Sequence, residues 1–288
     1  RFLIYASLIL ERKFKVFITF RAVRKAVELA HRYFKNKQLP GSAADLLKQT
    51  LAEASHNRLK ILTAEMIIGT AERQSKIPIQ KASDEEIKKL LGLEVLIHER
   101  LINQNVAVAS VSRALREYRS GLSRKGGPIA AFLFVGPTGV GKTELSKILA
   151  KIQFGSSEEM VRFDMSEYQD KQSIFRFIGT PDGERSGALT DAILAKPYSL
   201  ILLDEFEKAH PDILNLFLQV FDDGRLTDSL HRTVDFQNTI IIATSNAHSD
   251  FIKTEIENGR KIEEIAEEAQ HPADDRMAHG RHFARARL

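Results

Sequence analysis

The chain has 288 residues, 43% of them hydrophobic and 28% charged, with 42 basic against 38 acidic side chains and no cysteine. This supports one large or two modest domains with a real core, and it excludes disulfides, thiolate chemistry and cysteine-based zinc sites. A formal charge of +4 with no Lys/Arg block argues against nucleic acid as the main partner.

The first apolar run, Phe2 to Leu10, is too short to span a bilayer and lacks a basic leader and a small-residue cleavage site. No membrane partner is expected, and the lack of cysteine fits a reducing cytoplasm. The chain opens on Arg1 rather than Met, which reads as a piece of a longer frame. Residues 18–55 read as helices, with Phe20, Val23, Ala26, Val27, Leu29, Ala30 and Phe34 at helical spacing. Leu39-Pro40-Gly41-Ser42 breaks the pattern, and a second helix runs from Ala43 to Ala54. Ile61 to Ile77 reads as a short strand and a helix, and polar Gln80 to Glu86 as a linker. Leu90 to Leu101 is amphipathic, and Asn105 to Leu122 is a helix burying Val106, Val108, Val111, Ala114 and Leu115. Ser123 to Pro128 is a turn.

Then the pattern changes. Ala130–Val135, Ser199–Leu203 and Thr239–Ala243 are strand-length apolar runs, and Glu159–Asp164 reads as a fourth strand. Helical segments separate them, at Glu144–Ile152, Ala188–Ala195 and Ile213–Phe221. Strands alternating with helices predict a parallel sheet with crossovers.

Three strand ends carry chemistry. Gly136-Pro137-Thr138-Gly139-Val140-Gly141-Lys142-Thr143 meets the pattern G-x-x-x-x-G-K-[ST] between a strand and a helix. Its glycines turn backbone N–H groups onto phosphate oxygens, and the helix N-terminus adds a favourable dipole. Lys142 supplies a charge to the β- and γ-phosphates and Thr143 a hydroxyl to Mg²⁺, so ATP with Mg²⁺ is the expected ligand. A plain Gly-rich turn is the bland alternative. The strand ending Leu203-Asp204-Glu205 offers Asp204 to the metal and Glu205 as general base. Two acids after an isolated strand would more often be a solvated end, but here a P-loop precedes them. Thr244-Ser245-Asn246 ends the last strand, where an amide can orient the lytic water or touch the γ-phosphate. All three ends converge at the carboxyl edge of the sheet, where open α/β folds bind ligands.

The P-loop, Phe163-Asp164-Met165-Ser166-Glu167-Tyr168, Lys196-Pro197-Tyr198-Ser199, Leu203 to Pro211 and Asp222 to Ser229 resemble the second ATPase module of the Clp chaperones. These are AAA+ unfoldases of the ClpB/ClpC type, and the likeness runs nearly unbroken from Leu101 to Asn246. Ala26 to Phe34 and Leu39 to Leu47 resemble, more weakly, the small helical subdomain closing the first module. Ile77-Pro78-Ile79 is similar to the junction between modules, and Arg100 to Gln104 to the stretch packing on adenine. The resemblance implies an α/β P-loop AAA+ fold: a five-stranded parallel sheet flanked by helices, preceded by a small mainly helical subdomain. The expected division is 1–79 for that subdomain, 80–94 for a linker, 95–250 for the large ATPase subdomain, and 251–288 for a helical segment and irregular tail.

By the same resemblance, Lys142 binds phosphates, Asp204 and Thr143 hold magnesium, Glu205 activates water, Asn246 is the first sensor, and Leu101 and Ile102 meet the base. It implies a ring, a hexamer, that hydrolyses ATP and remodels unfolded or aggregated polypeptides. Three departures bear on this. The stretch Ile178 to Gly187 lacks the aromatic residue of the family's pore loop, leaving Glu184 and Arg185 as other chemistry there. No motif after Asn246 matches the family's arginine finger or second sensor, so slow turnover by this chain alone is expected. Ala247-His248-Ser249-Asp250 lacks the apolar tripeptide loop that engages a peptidase, so that partner is not supported. The alternative function is a nucleotide-dependent assembly or switch subunit that does not thread. His210 reads as a turn residue rather than a catalytic one, and Arg225 and Arg232 as charges flanking a hairpin.

Overall fold

A computed structural model describes residues 2–34, 38–75, 79, 88, 90–121 and 126–246. The chain divides into two compact units, Arg1–Lys81 and Ala82–Leu288. Ile77 and Pro78, most of the expected linker, and the segment after Asn246 lie outside the described residues.

The first unit holds α1 (Phe2–Phe14), β1 (Phe17–Ile18), α2 (Phe20–Tyr33), α3 (Gly41–His56), β2 (Ile61–Leu62) and α4 (Ala64–Ser75). The Thr19 hydroxyl caps α2 by accepting from the Ala22 N–H at 3.2 Å and donates to the Leu62 carbonyl at 3.0 Å. One short side chain thus starts a helix and ties it to β2. β1 and β2 pair in parallel, and Leu29, Leu46, Leu47, Leu51, Leu62 and Ile67 share the core.

The second unit holds α5 (Leu93–His98), α6 (Asn105–Arg119), β3 (Ala130–Val135), α7 (Lys142–Phe154), β4 (Met160–Asp164), α8 (Ser173–Ile178), α9 (Ala188–Ala195), β5 (Leu200–Asp204), α10 (Pro211–Asp223), a β6–β7 hairpin (Arg225–Thr227, Thr233–Asp235) and β8 (Ile240–Ser245). Its main sheet has the order β3-β8-β5-β4, with every pair parallel.

The main sheet has four strands among the described residues, not the five that the family resemblance implied. Each of the four strand-length runs between Ala130 and Ser245 became one strand, and the described residues supply no fifth run.

Alternation along the strands sorts side chains to two faces. Phe132, Phe134, Leu200, Leu202, Ile240 and Ile242 pack with α5, α6 and α7. Ala131, Ile201, Leu203, Ile241 and Ala243 pack with α8, α9 and α10. Both faces are covered, so the strands read as continuous apolar runs. Each buried Leu, Ile or Phe contributes about 1.5–3 kcal/mol relative to exposure. The covered sheet therefore holds the loops at its carboxyl edge in fixed places. Among the described residues no helix is long and apolar enough to cross a membrane.

Candidate active site

β3 ends at Val135, and the chain turns through Gly136–Gly141 into α7. The turn needs glycine at Gly141, where φ is +102° and an added Cβ would lie 2.9 Å from Leu101 Cδ1. Leu101 is buried, with its side chain against the loop at Gly141. Its neighbour Ile102 is 83% exposed. Gln104 also supports the loop, donating from Nε2 to the Val140 carbonyl at 3.1 Å. Thr138 is exposed, and Thr143 is half-buried in the first turn of α7.

Lys142 is the organising side chain. It is 8% exposed, and its ammonium donates to Gly136 O at 2.5 Å and Asn246 Oδ1 at 2.6 Å. Longer contacts reach Pro137 O at 3.3 Å and Ser245 O at 3.4 Å. Burial pushes its pKa below the usual lysine value, while Asp204, Glu207 and Glu205 act the other way. The ammonium thus sits in a partly desolvated pocket with acids near enough to favour its charge.

β5 delivers the acids. Asp204 Oδ1 accepts from the Thr244 hydroxyl at 2.5 Å, and Oδ2 accepts from Arg162 Nη2 at 2.6 Å. Glu205 sits at φ +54°, a left-handed conformation uncommon for a non-glycine residue. Its N–H donates to Thr244 Oγ1 at 3.1 Å, its Oε1 faces Asn246 Nδ2 at 3.4 Å, and Lys208 holds Oε2 at 2.5 Å. That contact raises the Lys208 pKa. Asn246 is fixed by its own backbone as well, its N–H donating to Glu207 Oε1 at 3.0 Å.

Direct contacts therefore join Gly136 and Pro137 to Lys142, Lys142 to Asn246, and Asn246 to Glu205. Asp204 joins them through Thr244, whose hydroxyl also takes the Glu205 N–H. Sequence reasoning missed Thr244 itself, Glu207, Gln104 and Arg162. Arg162 carried a readable signal, a charge inside the apolar run Met160-Val161-Arg162-Phe163. Among the described residues no group of three or more His, Cys, Asp or Glu side chains could hold a metal. Thr143 and Asp204 are hard oxygen donors, which fits a magnesium ion taking its other ligands from phosphate and water.

His210, read from the sequence as a turn residue, is the N-cap of α10, accepting from the Asp212 N–H at 3.2 Å. Arg232 bridges Asp228 at 2.6 Å and Asp191 at 3.0 Å. The loop 180–186 closes on itself, Thr180 N–H donating to Arg185 O at 2.9 Å and Arg185 N–H to Thr180 Oγ1 at 3.0 Å. Its base is tied down where the Ser229 hydroxyl donates to Gly179 O at 2.6 Å. Glu184 and Arg185 are exposed.

Two family models match the chain: an AAA domain (Cdc48 subfamily) over residues 127–280 and an AAA lid domain over residues 6–91. A chaperone protein ClpB of Meiothermus ruber is 46% identical over 258 residues, covering 85% of this chain and 30% of its own. An ATP-dependent Clp protease ATP-binding subunit ClpA homolog of Trieres chinensis is 52% identical over 196 residues, covering 67% of this chain and 22% of its own. An S. cerevisiae Hsp104:casein complex superposes with a TM-score of 0.79 at 36% identity, covering 96% of this chain and 48% of that one. The chain thus spans less than a third of these curated relatives and about half of the Hsp104 chain.

Proposed function

We propose, from the premise that this chain belongs to the AAA domain family (Cdc48 subfamily) and is of the ClpB type, that it binds and hydrolyses ATP as one module of a cytoplasmic, ring-forming protein unfoldase or disaggregase. The observation that carries this reading is the Lys142 ammonium held between Gly136 O and Asn246 Oδ1, beside the acids Asp204 and Glu205.

Lys142 exchanges its carbonyl and amide acceptors for β- and γ-phosphate oxygens. Because it is buried, each such contact is stronger than in water. The N–H groups of Thr138–Thr143 take the remaining phosphate oxygens, and the glycine at Gly141 lets the backbone approach. Leu101 offers an apolar surface to the base, with Ile102 at its outer edge. Thr143 and Asp204 would hold magnesium, which supplies charge neutralisation between the phosphates. Glu205 accepts a proton from the attacking water. Its backbone is fixed through Thr244, so its carboxylate is positioned before substrate arrives. Asn246 spans Lys142 and Glu205, and its amide reports on the γ-phosphate between them. A ring, a hexamer, would apply this cycle to unfolded or aggregated polypeptides.

The loop 180–186 favours a second reading: a switch subunit that changes shape with nucleotide and does not thread. The loop carries no aromatic side chain, and its closing hydrogen bonds restrain it. One assay separates the two, ATPase rate and unfolding of a tagged model protein with and without Glu205→Gln. Unfolding by wild type with trapping by the variant supports the motor. ATP binding by both with no unfolding supports the switch.

A further inference from the structure

Resting on the metal reading of Asp204, we propose that Arg162 is a positioning residue that stands in for the divalent cation at that carboxylate and yields its place when the metal binds. Among the described strands β4 is the last in the sheet order, and it pairs with β5 in the register Arg162↔Leu202 and Asp164↔Asp204. Arg162 and Asp204 therefore lie on one face of the sheet, two positions apart along the strands. The guanidinium leans along that face to reach Oδ2 at 2.6 Å. The other oxygen is already held by Thr244. The hydroxyl thus orients the carboxylate, and the guanidinium occupies its remaining oxygen.

The exposures fit a replaceable partner. The Arg162 side chain is 54% exposed and that of Asp204 is 18% exposed. A guanidinium at the surface can withdraw into water at little cost, and such pairs add little to stability. Lys208 covers Glu205 in the same manner. Each acid of the Asp204-Glu205 pair is thus matched by a surface cation, Arg162 from the middle of the neighbouring strand and Lys208 from the turn after β5.

The test uses the full chain with saturating ADP and Mn²⁺ as the probe, free Mn²⁺ being read by electron paramagnetic resonance. Arg162→Gln is expected to lower the half-saturating Mn²⁺ concentration about two- to fivefold, the size of an exposed ion pair. ADP affinity without metal, by calorimetry, stays unchanged. In an Asp204→Asn background the difference between Arg and Gln at 162 disappears. A Mn²⁺ midpoint in Arg162→Gln equal to or above that of wild type overturns the proposal. So does loss of metal-free ADP affinity, which would make Arg162 a phosphate ligand. If Asp204→Asn leaves wild-type Mn²⁺ binding intact, the metal assignment of Asp204 itself is overturned, a distinct failure. Melting temperature certifies folding, and Arg162→Lys carries the same comparison with a smaller decrease if the Gln variant does not fold.

Discussion

The Lys142 ammonium donates to Asn246 Oδ1 at 2.6 Å across 104 positions of sequence. This bond joins the start of α7 to the tip of β8, and the same amide faces Glu205 through Nδ2. Asn246→Ala removes both links while leaving the P-loop backbone in place. Turnover is expected to fall about 10²-fold through misplacement of the reacting groups. ATP affinity is expected to move less than about threefold, a loss expressed in kcat rather than in KM. Steady-state kinetics with calorimetry on the same variant checks the split.

Thr244 is 1% exposed and serves two partners, donating to Asp204 Oδ1 and accepting from the Glu205 N–H. Thr244→Val keeps the shape and removes the hydroxyl. A buried N–H without an acceptor costs about 1–3 kcal/mol. Urea unfolding should show a loss of that size, with Thr244→Ser close to wild type.

Gly141 and Gly155 bound α7 at φ +102° and +85°, but only Gly141 also meets a neighbour, Leu101 Cδ1. Alanine at either position carries a left-handed penalty of about 1–2 kcal/mol. At Gly141 that strain falls on the phosphate cradle, so ATP affinity is expected to drop about tenfold, the equivalent of 1.4 kcal/mol. At Gly155 the same change should lower the melting temperature and leave ATP affinity alone. Fluorescent-nucleotide titration of both variants decides this.

Asp164 Oδ1 accepts from the Ser166 hydroxyl at 2.6 Å and from its N–H at 3.0 Å. These bonds hold its carboxyl below the usual carboxylate range. The folded pKa lies below the unfolded one, so the stabilisation is complete above the unfolded value and is lost as pH falls through the folded one. Asp164 caps the 3-10 turn Met165–Tyr168, so Asp164→Ala should cost about 1 kcal/mol at neutral pH. The gap between variant and wild type should close in acid, as followed by urea unfolding from neutral pH down to below the carboxylate range.

Much of this site was legible because its chemistry is written in short contiguous runs. Gly136–Thr143 is a local motif, and Asp204-Glu205 ends an uncharged strand. The residues that hold those groups were not legible, because their contacts cross between strands. Thr244 reaches Asp204 over 40 positions, Arg162 reaches it over 42, and Gln104 reaches Val140 over 36. No local pattern reports such separations. Helix α1 was missed for another reason: its buried positions are Leu3, Ser7 and Leu10, so a serine interrupts the apolar stripe that would mark a helix. The fold class followed from strand and helix alternation. The count of five strands came from family likeness, and the described sheet has four.

Calorimetric titration of ATP–Mg²⁺ into wild type and Lys142→Ala tests the central claim most directly. Saturable binding by wild type, weakened at least about tenfold in the folded variant, equivalent to 1.4 kcal/mol or more, is the predicted result. Equal affinity in the two proteins would contradict it, since the buried ammonium would then contribute nothing to holding the phosphates.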